Sequence, residues 1–234
     1  MVFSILSGGC QAAQHQQTLP NQMQPAQIKS VMTRVADWQL ANPSKHATTD
    51  WTHGALFAGL TAWAQMAGTD KYYDALLQFG EKNKWQPHKR KNNVYHADDH
   101  AVAQMYIEIY KEYKDPKMIA PIKDLYDYIL ENQPDTPLTH DNGAHKKRYN
   151  WCDALFMGPP VWAKLARVTG QQKYLDYMNK EWWATTDYLF DEEEDLYFRD
   201  DRYFNKREAN NEKVFWSRGN GWVFGGLVRV LEEM

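Results

Sequence analysis

From about Ile28 onward, apolar residues recur at helical spacing, and the strict alternation of a half-buried strand is absent. Turn signals such as Ala67-Gly68-Thr69-Asp70 divide the chain into long segments of two kinds. The first kind is small and apolar on all sides: Gly54-Ala55-Leu56-Phe57-Ala58-Gly59, Ala101-Val102-Ala103 and Ala154-Leu155-Phe156-Met157-Gly158. A helix that is apolar on every face is buried. The second kind, Lys71–Gly80 and Lys117–Glu131, is amphipathic and predicts an outer layer.

The alternation repeats. Leu60 to Asp74 recurs as Val161 to Asp176, with glycine, lysine, tyrosine and aspartate at matching offsets: Gly68, Lys71, Tyr72, Asp74 against Gly170, Lys173, Tyr174, Asp176. A weaker copy, Ile109 to Met118, turns at Lys114. The turn positions 68, 114 and 170 lie 46 and 56 residues apart. Each unit therefore reads as an inner helix, a short turn and an outer helix. This predicts an all-α fold, a toroid of helical hairpins; an open helical solenoid would show the same alternation and is the structural rival. A fourth inner helix is predicted from near Trp216 through Leu231, with its turn falling beyond Met234. Closing six hairpins takes on the order of a hundred further residues. The repeat thus predicts a toroid truncated after about three and a half hairpins, with an exposed apolar flank and no activity without its remaining wall.

Counting back 17 positions from each turn reaches Trp51, Ala97 beside Asp98, Asp153, and (from the expected turn near 235) Arg218. All four sit where an inner helix begins, and in a toroid those starts crowd round one mouth. In Tyr95-His96-Ala97-Asp98-Asp99-His100, either aspartate could simply complement the helix dipole; the preferred reading makes one of them half of a carboxylate pair. His96, Asp98, Asp99 and His100 could also be taken as metal ligands, but four adjacent ligands cannot all point one way on a helix, and no metal site is expected. Asp153 lies among apolar neighbours in Trp151-Cys152-Asp153-Ala154-Leu155, so desolvation should raise its pKa, as would a second carboxylate. Such a pair suits general acid/base work. In Trp216-Ser217-Arg218-Gly219-Asn220-Gly221-Trp222, Arg218 can grip a carboxylate, the glycines permit close backbone approach to a ligand, and Trp222 shares the arginine's helix face. Plain capping by Asp153 and a structural ion pair for Arg218 are the alternatives.

Composition narrows the partners. The 234 residues carry a net charge of -3, giving no basic footprint for nucleic acid, and no apolar run is long enough to span a membrane. Ten tryptophans and fourteen tyrosines offer faces on which sugar rings stack, although any single one reads first as core filling. Cys152 reads as an inert buried thiol. Met1 to Cys10 is an apolar stretch closing on Ser7-Gly8-Gly9-Cys10 and followed by a Gln/Ala/Pro-rich tether. It resembles the end of a bacterial lipoprotein signal, without a positive segment before it and with Leu6 one place too far from the cysteine. Residues 1–27 are therefore expected to be a leader and tether, with export to the periplasm or a lipid anchor to the outer membrane at Cys10, and residues 28–234 the partial toroid catalytic domain.

The ordered set Trp51, His-Ala-Asp98-Asp99, Trp151-Cys-Asp153 and Trp-Ser-Arg218-Gly-Asn-Gly-Trp222 resembles the unsaturated glucuronyl and rhamnogalacturonyl hydrolases, glycoside hydrolase families 88 and 105, over about residues 30–234. The resemblance implies an (α/α)6 toroid that hydrates the C4=C5 double bond left on a non-reducing uronic acid by polysaccharide lyases. It implies Asp153 as the proton donor that also activates water, Asp98 as its partner, and a subsite lined by Trp51, Asp99, Trp151, Arg218 and Trp222, with no metal or organic cofactor. A histidine expected ahead of Trp151 is His140 or His145; one expected before the fourth inner helix is replaced by Arg199. An ordinary acid/base glycosidase, another toroid sugar enzyme such as an epimerase, and a non-catalytic sugar-binding repeat are the rival readings.

Overall fold

The computed structural model describes residues 24–89, 93–140 and 147–234. Helix α1 (Pro25–Ala41) starts inside the stretch expected to be tether, because Pro25 suits a first helical position and Gln24 and Gln27 form a capping box. The inner layer consists of α2 (Trp51–Ala67), α4 with α5 (Ala97–His100, Ala103–Tyr113), α7 with α8 (Ala154–Met157, Pro159–Thr169) and α10 (Ser217–Leu231). The outer layer holds α1, α3 (Lys71–Lys82), α6 (Ala120–Glu131) and α9 (Gln172–Leu189). Neighbouring inner helices touch in the order α2, α5, α8, α10. The first and fourth also meet at their starts, where Trp51 and Trp222 make an edge-to-face contact with centroids 6.4 Å apart. That curvature is a toroid's, not an open solenoid's.

The predicted turns are where the period puts them. Gly68, Lys114 and Gly170 each end an inner helix with positive φ (74°, 57° and 67°), the left-handed cap that glycine adopts most cheaply. The repeated Lys-Tyr pair has a packing role. Lys71 and Tyr72 both donate to Asp37 on α1, and Lys173 and Tyr174 both donate to Asp127 on α6. In the middle unit Lys117 reaches Glu81 on α3. Each outer helix is thus latched to the one before it.

Two features differ from the sequence reading, and a third matches it. Two inner helices are broken near their starts: α7 gives way to α8 at Gly158, where Pro159 and Pro160 supply no amide to continue the ladder, and α4 gives way to α5 at Ala101-Val102. A two-strand hairpin, β1 (Phe190–Asp191) with β2 (Leu196–Tyr197), interrupts the all-α pattern. Helix α10 is buried along one stripe only (Gly219, Val223, Gly226, Val230), leaving Phe224, Leu227, Val228 and Leu231 exposed on one face, the apolar flank that the repeat predicts. The expected Cys10 leader and His145 lie outside the described residues.

Candidate active site

The inner-helix starts enclose a cavity of about 720 Å³. Trp51 comes from the first turn of α2, which Asp50 caps by accepting from the Thr52 amide. Asp98 comes from the first turn of α4, whose N-cap is His96: its Nδ1 accepts from the Asp98 amide at 3.2 Å. Asp153 sits just ahead of α7, and Arg218 and Trp222 come from the first turns of α10. The residues 17 positions before each turn therefore meet at one mouth, although they are far apart in the chain.

Asp153 is half-buried, and its pKa is pushed up to about 7, first by burial and then by the charge of Asp98. The amides of Asp153 and Ala154 and the Arg199 cation oppose the rise without cancelling it. Its carboxyl makes no capping hydrogen bond of the kind Asp50 makes, so the plain N-cap alternative does not describe it. Near neutral pH the group is balanced between acid and base, as a proton-transfer catalyst requires.

Beside it, Trp151 forms a stacking platform. The Arg199 guanidinium lies 4.4 Å from the Trp151 ring centroid and 4.4 Å from that of Tyr203. Arg199 Nε donates to Asp200, which is fully buried and also takes two bonds from the Arg202 side chain and one from its amide. Burial alone would raise the Asp200 pKa, but the bonds from Arg202 and Arg199 hold it below the usual carboxylate range. The segment is pinned to Trp151-Cys152-Asp153 by the Cys152 amide donating to the Arg199 carbonyl. Cys152 itself is buried, its thiol pushed up to about 12 by burial and then by Asp153, the inert thiol expected. Opposite, Arg218 stacks over Trp216 at 5.0 Å, and Trp222 packs on Phe156 as well as Trp51.

Not every expected site residue joins this cavity. Asp99 is buried on the other side of α4, where it and His100 line a separate cavity; consecutive helical residues diverge by about 100°, so both aspartates cannot face one ligand. The proposed metal quartet is split in the same way. His100 is held neutral, its pKa pushed down by burial to about 4, with Nε2 donating to the Val94 carbonyl and Nδ1 facing the Tyr126 hydroxyl. His140 leans on the Trp151 ring, with centroids 5.8 Å apart, and its amide donates to Asp201, but it does not line the cavity. Gly219 serves protein packing and not ligand approach, since a Cβ there would meet Trp216 and Cys152 at 2.4 and 2.7 Å. His96, Tyr203, Arg148 and Trp216 line the cavity without having been chosen from the sequence. Trp216 and His96 stood inside quoted motifs and could have been; Tyr203 carried no signal.

Fold and site together define a helical-toroid protein with paired carboxylates at an aromatic, arginine-bearing mouth. The description "Glycosyl Hydrolase Family 88" fits residues 23–234. The chain belongs to that family. Its curated relatives include an unsaturated 3S-rhamnoglycuronyl hydrolase of an Alteromonas species, 34% identical across 100% of this chain and 62% of the relative. One of the same name from Formosa agariphila is 38% identical across 89% of this chain and 58% of the relative. The chain thus spans about three fifths of the length of these relatives. Among solved structures, one named as a polysaccharide lyase superposes with a TM-score of 0.77 at 24% identity, over 89% of this chain and 60% of that one. A family 88 glycosyl hydrolase from Bacteroides vulgatus gives 0.70 at 22% identity, over 88% and 62%. At those identities the likeness concerns the fold.

Proposed function

We propose that this chain carries the reacting groups of a hydrolase that removes a 4,5-unsaturated uronic acid from the non-reducing end of lyase-generated oligosaccharides. The observation that carries the reading is Asp153, raised to about 7 within the field of Asp98, in an aromatic cavity. Protonated Asp153 gives its proton to C4 of the enol ether. The resulting carboxylate takes a proton from the water that adds to C5, so Asp153 ends as it began. The C5 hemiketal then opens and the rest of the oligosaccharide is released. Burial, with the charge of Asp98 behind it, favours the proton on Asp153 near neutral pH, and Arg218 with Trp216 and Trp222 suits the sugar's carboxylate and ring. The relatives named as unsaturated 3S-rhamnoglycuronyl hydrolases support this class of substrate.

The test follows the ultraviolet absorbance of the conjugated double bond in a lyase digest. The full-length protein, carrying the remaining toroid wall, should bleach it, and Asp153→Asn in that protein should slow bleaching by about 10³-fold or more while the circular dichroism stays unchanged. Release of a saturated uronic acid without bleaching would assign an ordinary glycosidase instead. No helix among the described residues is long and apolar enough to cross a membrane; the run ending Ser7-Gly8-Gly9-Cys10 supports export with lipid attachment at Cys10, which Cys10→Ala should abolish in a palmitate-labelling experiment.

A further inference from the structure

The cavity presents two separate arginine forks, whereas one unsaturated uronic acid carries one carboxylate. Arg148, a third arginine in the wall, is already satisfied: its Nε and Nη2 donate to Glu181 at 2.9 and 3.1 Å. Arg218 stacks over Trp216 on the α10 side. Arg199 stacks on different rings and is held by more contacts than a surface cation needs. Its plane is held between the Trp151 and Tyr203 rings, each 4.4 Å away. Its Nε is fixed by the fully buried Asp200 at 2.8 Å. Asp200 accepts equally from Arg202, so one carboxylate serves two cations and the clamp keeps a net positive charge. With Nε committed inward, the fork that remains on Arg199 is its Nη pair, at a site lining the cavity. A planar, pre-oriented guanidinium of this kind loses little entropy on gripping an oxyanion.

We propose that the Arg199–Asp200–Arg202 clamp is a second anion receptor, distinct from Arg218, which takes an acidic substituent elsewhere on the same oligosaccharide, with Asp200 as the positioning residue. The inference rests on the hydrolase reading for the identity of the oligosaccharide. The acidic substituent is a sulfate ester or a carboxylate; both offer the same pair of oxygens to the fork.

Three disaccharides that share the unsaturated uronic acid and differ in the neighbouring sugar decide the matter: neutral, O-sulfated and uronic. Affinities are read from tryptophan fluorescence on an Asp153→Asn background, and kcat and KM from bleaching by wild-type Asp153. The charged neighbours should be preferred over the neutral one by about 10- to 100-fold, mostly in Kd and KM, the size of a charge-assisted bond. Arg199→Gln should bring the charged-to-neutral ratio close to one, Arg199→Lys should restore part of it, and Asp200→Asn should lower it. The sulfated and uronic arms identify which oxyanion is taken. A ratio unchanged by Arg199→Gln, or a wild type without preference, overturns the receptor. Should Asp200→Asn fail to fold, the two Arg199 variants still decide. Absence of bleaching with a preserved binding ratio would defeat the hydrolase reading and leave the receptor standing.

Discussion

Asp153 is held in a state that favours reactivity over stability. In the unfolded chain its carboxyl titrates near 3.8, and in the fold near 7. The folded form therefore binds the extra proton between those values, and stability falls as pH rises from about 4 to about 7, then levels off. At about 1.4 kcal/mol per tenfold change in proton affinity, the ionised group costs at most roughly 4 kcal/mol. Asp153→Asn should consequently melt higher than wild type at pH 8, by up to a few kcal/mol, with the gain vanishing towards pH 4. Denaturant titrations at the two pH values check this, and a gain independent of pH would refute the burial argument. The paired aspartates also show where sequence reading stops at this scale. Asp98 and Asp99 are chemically identical neighbours, and the cavity takes only one because a helix turns between them. Asp200, Arg202 and Tyr203 lie in an irregular segment with no period, so nothing in the sequence announced that one carboxylate would hold two arginines.

Among the elements, α10 lies close on α7. A Cβ on Gly226 would stand 2.3 Å from the Leu155 carbonyl, a backbone atom that cannot swing aside. Gly226→Ala should cost about 1–3 kcal/mol, and should lower turnover too, since Leu155 lies two residues from Asp153. Gly59, in mid-α2, meets nothing within 4 Å, so Gly59→Ala should instead gain about 0.5–1 kcal/mol. The two chemical denaturation midpoints should move in opposite directions. The latch between α6 and α9 makes a different prediction. Asp127 is held down to about 2; burial works against this, and the bonds from Lys123, Lys173 and Tyr174 outweigh it. Its folded pKa is depressed, so its contribution is complete above about 4 and lost as pH falls towards 2. Asp127→Asn should destabilise by about 1 kcal/mol at pH 7, allowing for solvent screening, with the gap closing on acidification. The lysine–tyrosine pairs were visible as a repeat, whereas their aspartate partners were not, because each sits on the preceding outer helix, 34 residues before Lys71 and 46 before Lys173.

At the scale of the whole molecule, the period did most of the predictive work. Gly68 and Gly170 marked hairpin turns because only a left-handed cap needs glycine there, and Lys114 could be found between them by spacing. The exposed apolar flank of α10 was expected of an unclosed toroid, whereas the residues that form it were not legible, since the packed neighbours decide which face is covered. Two apolar faces consequently stand open, Phe224, Leu227, Val228 and Leu231 on α10 and Ile28, Val31, Val35 and Trp38 on α1. Patches of this kind promote association. Sedimentation of this 234-residue chain should show a mass that rises with concentration, and Phe224→Glu with Leu231→Lys should return it towards the monomer; a concentration-independent monomer in the wild type would contradict the expectation.

The touch between Trp51 and Trp222 gives the fold a timetable. The mouth's aromatic rim has one member made early in synthesis and another made close to residue 234, while the carboxylates are made between them. A nascent chain therefore holds both carboxylates of the mouth before it holds the complete aromatic rim beside them. Binding competence should therefore not appear before α10 leaves the ribosome, however many earlier hairpins have folded.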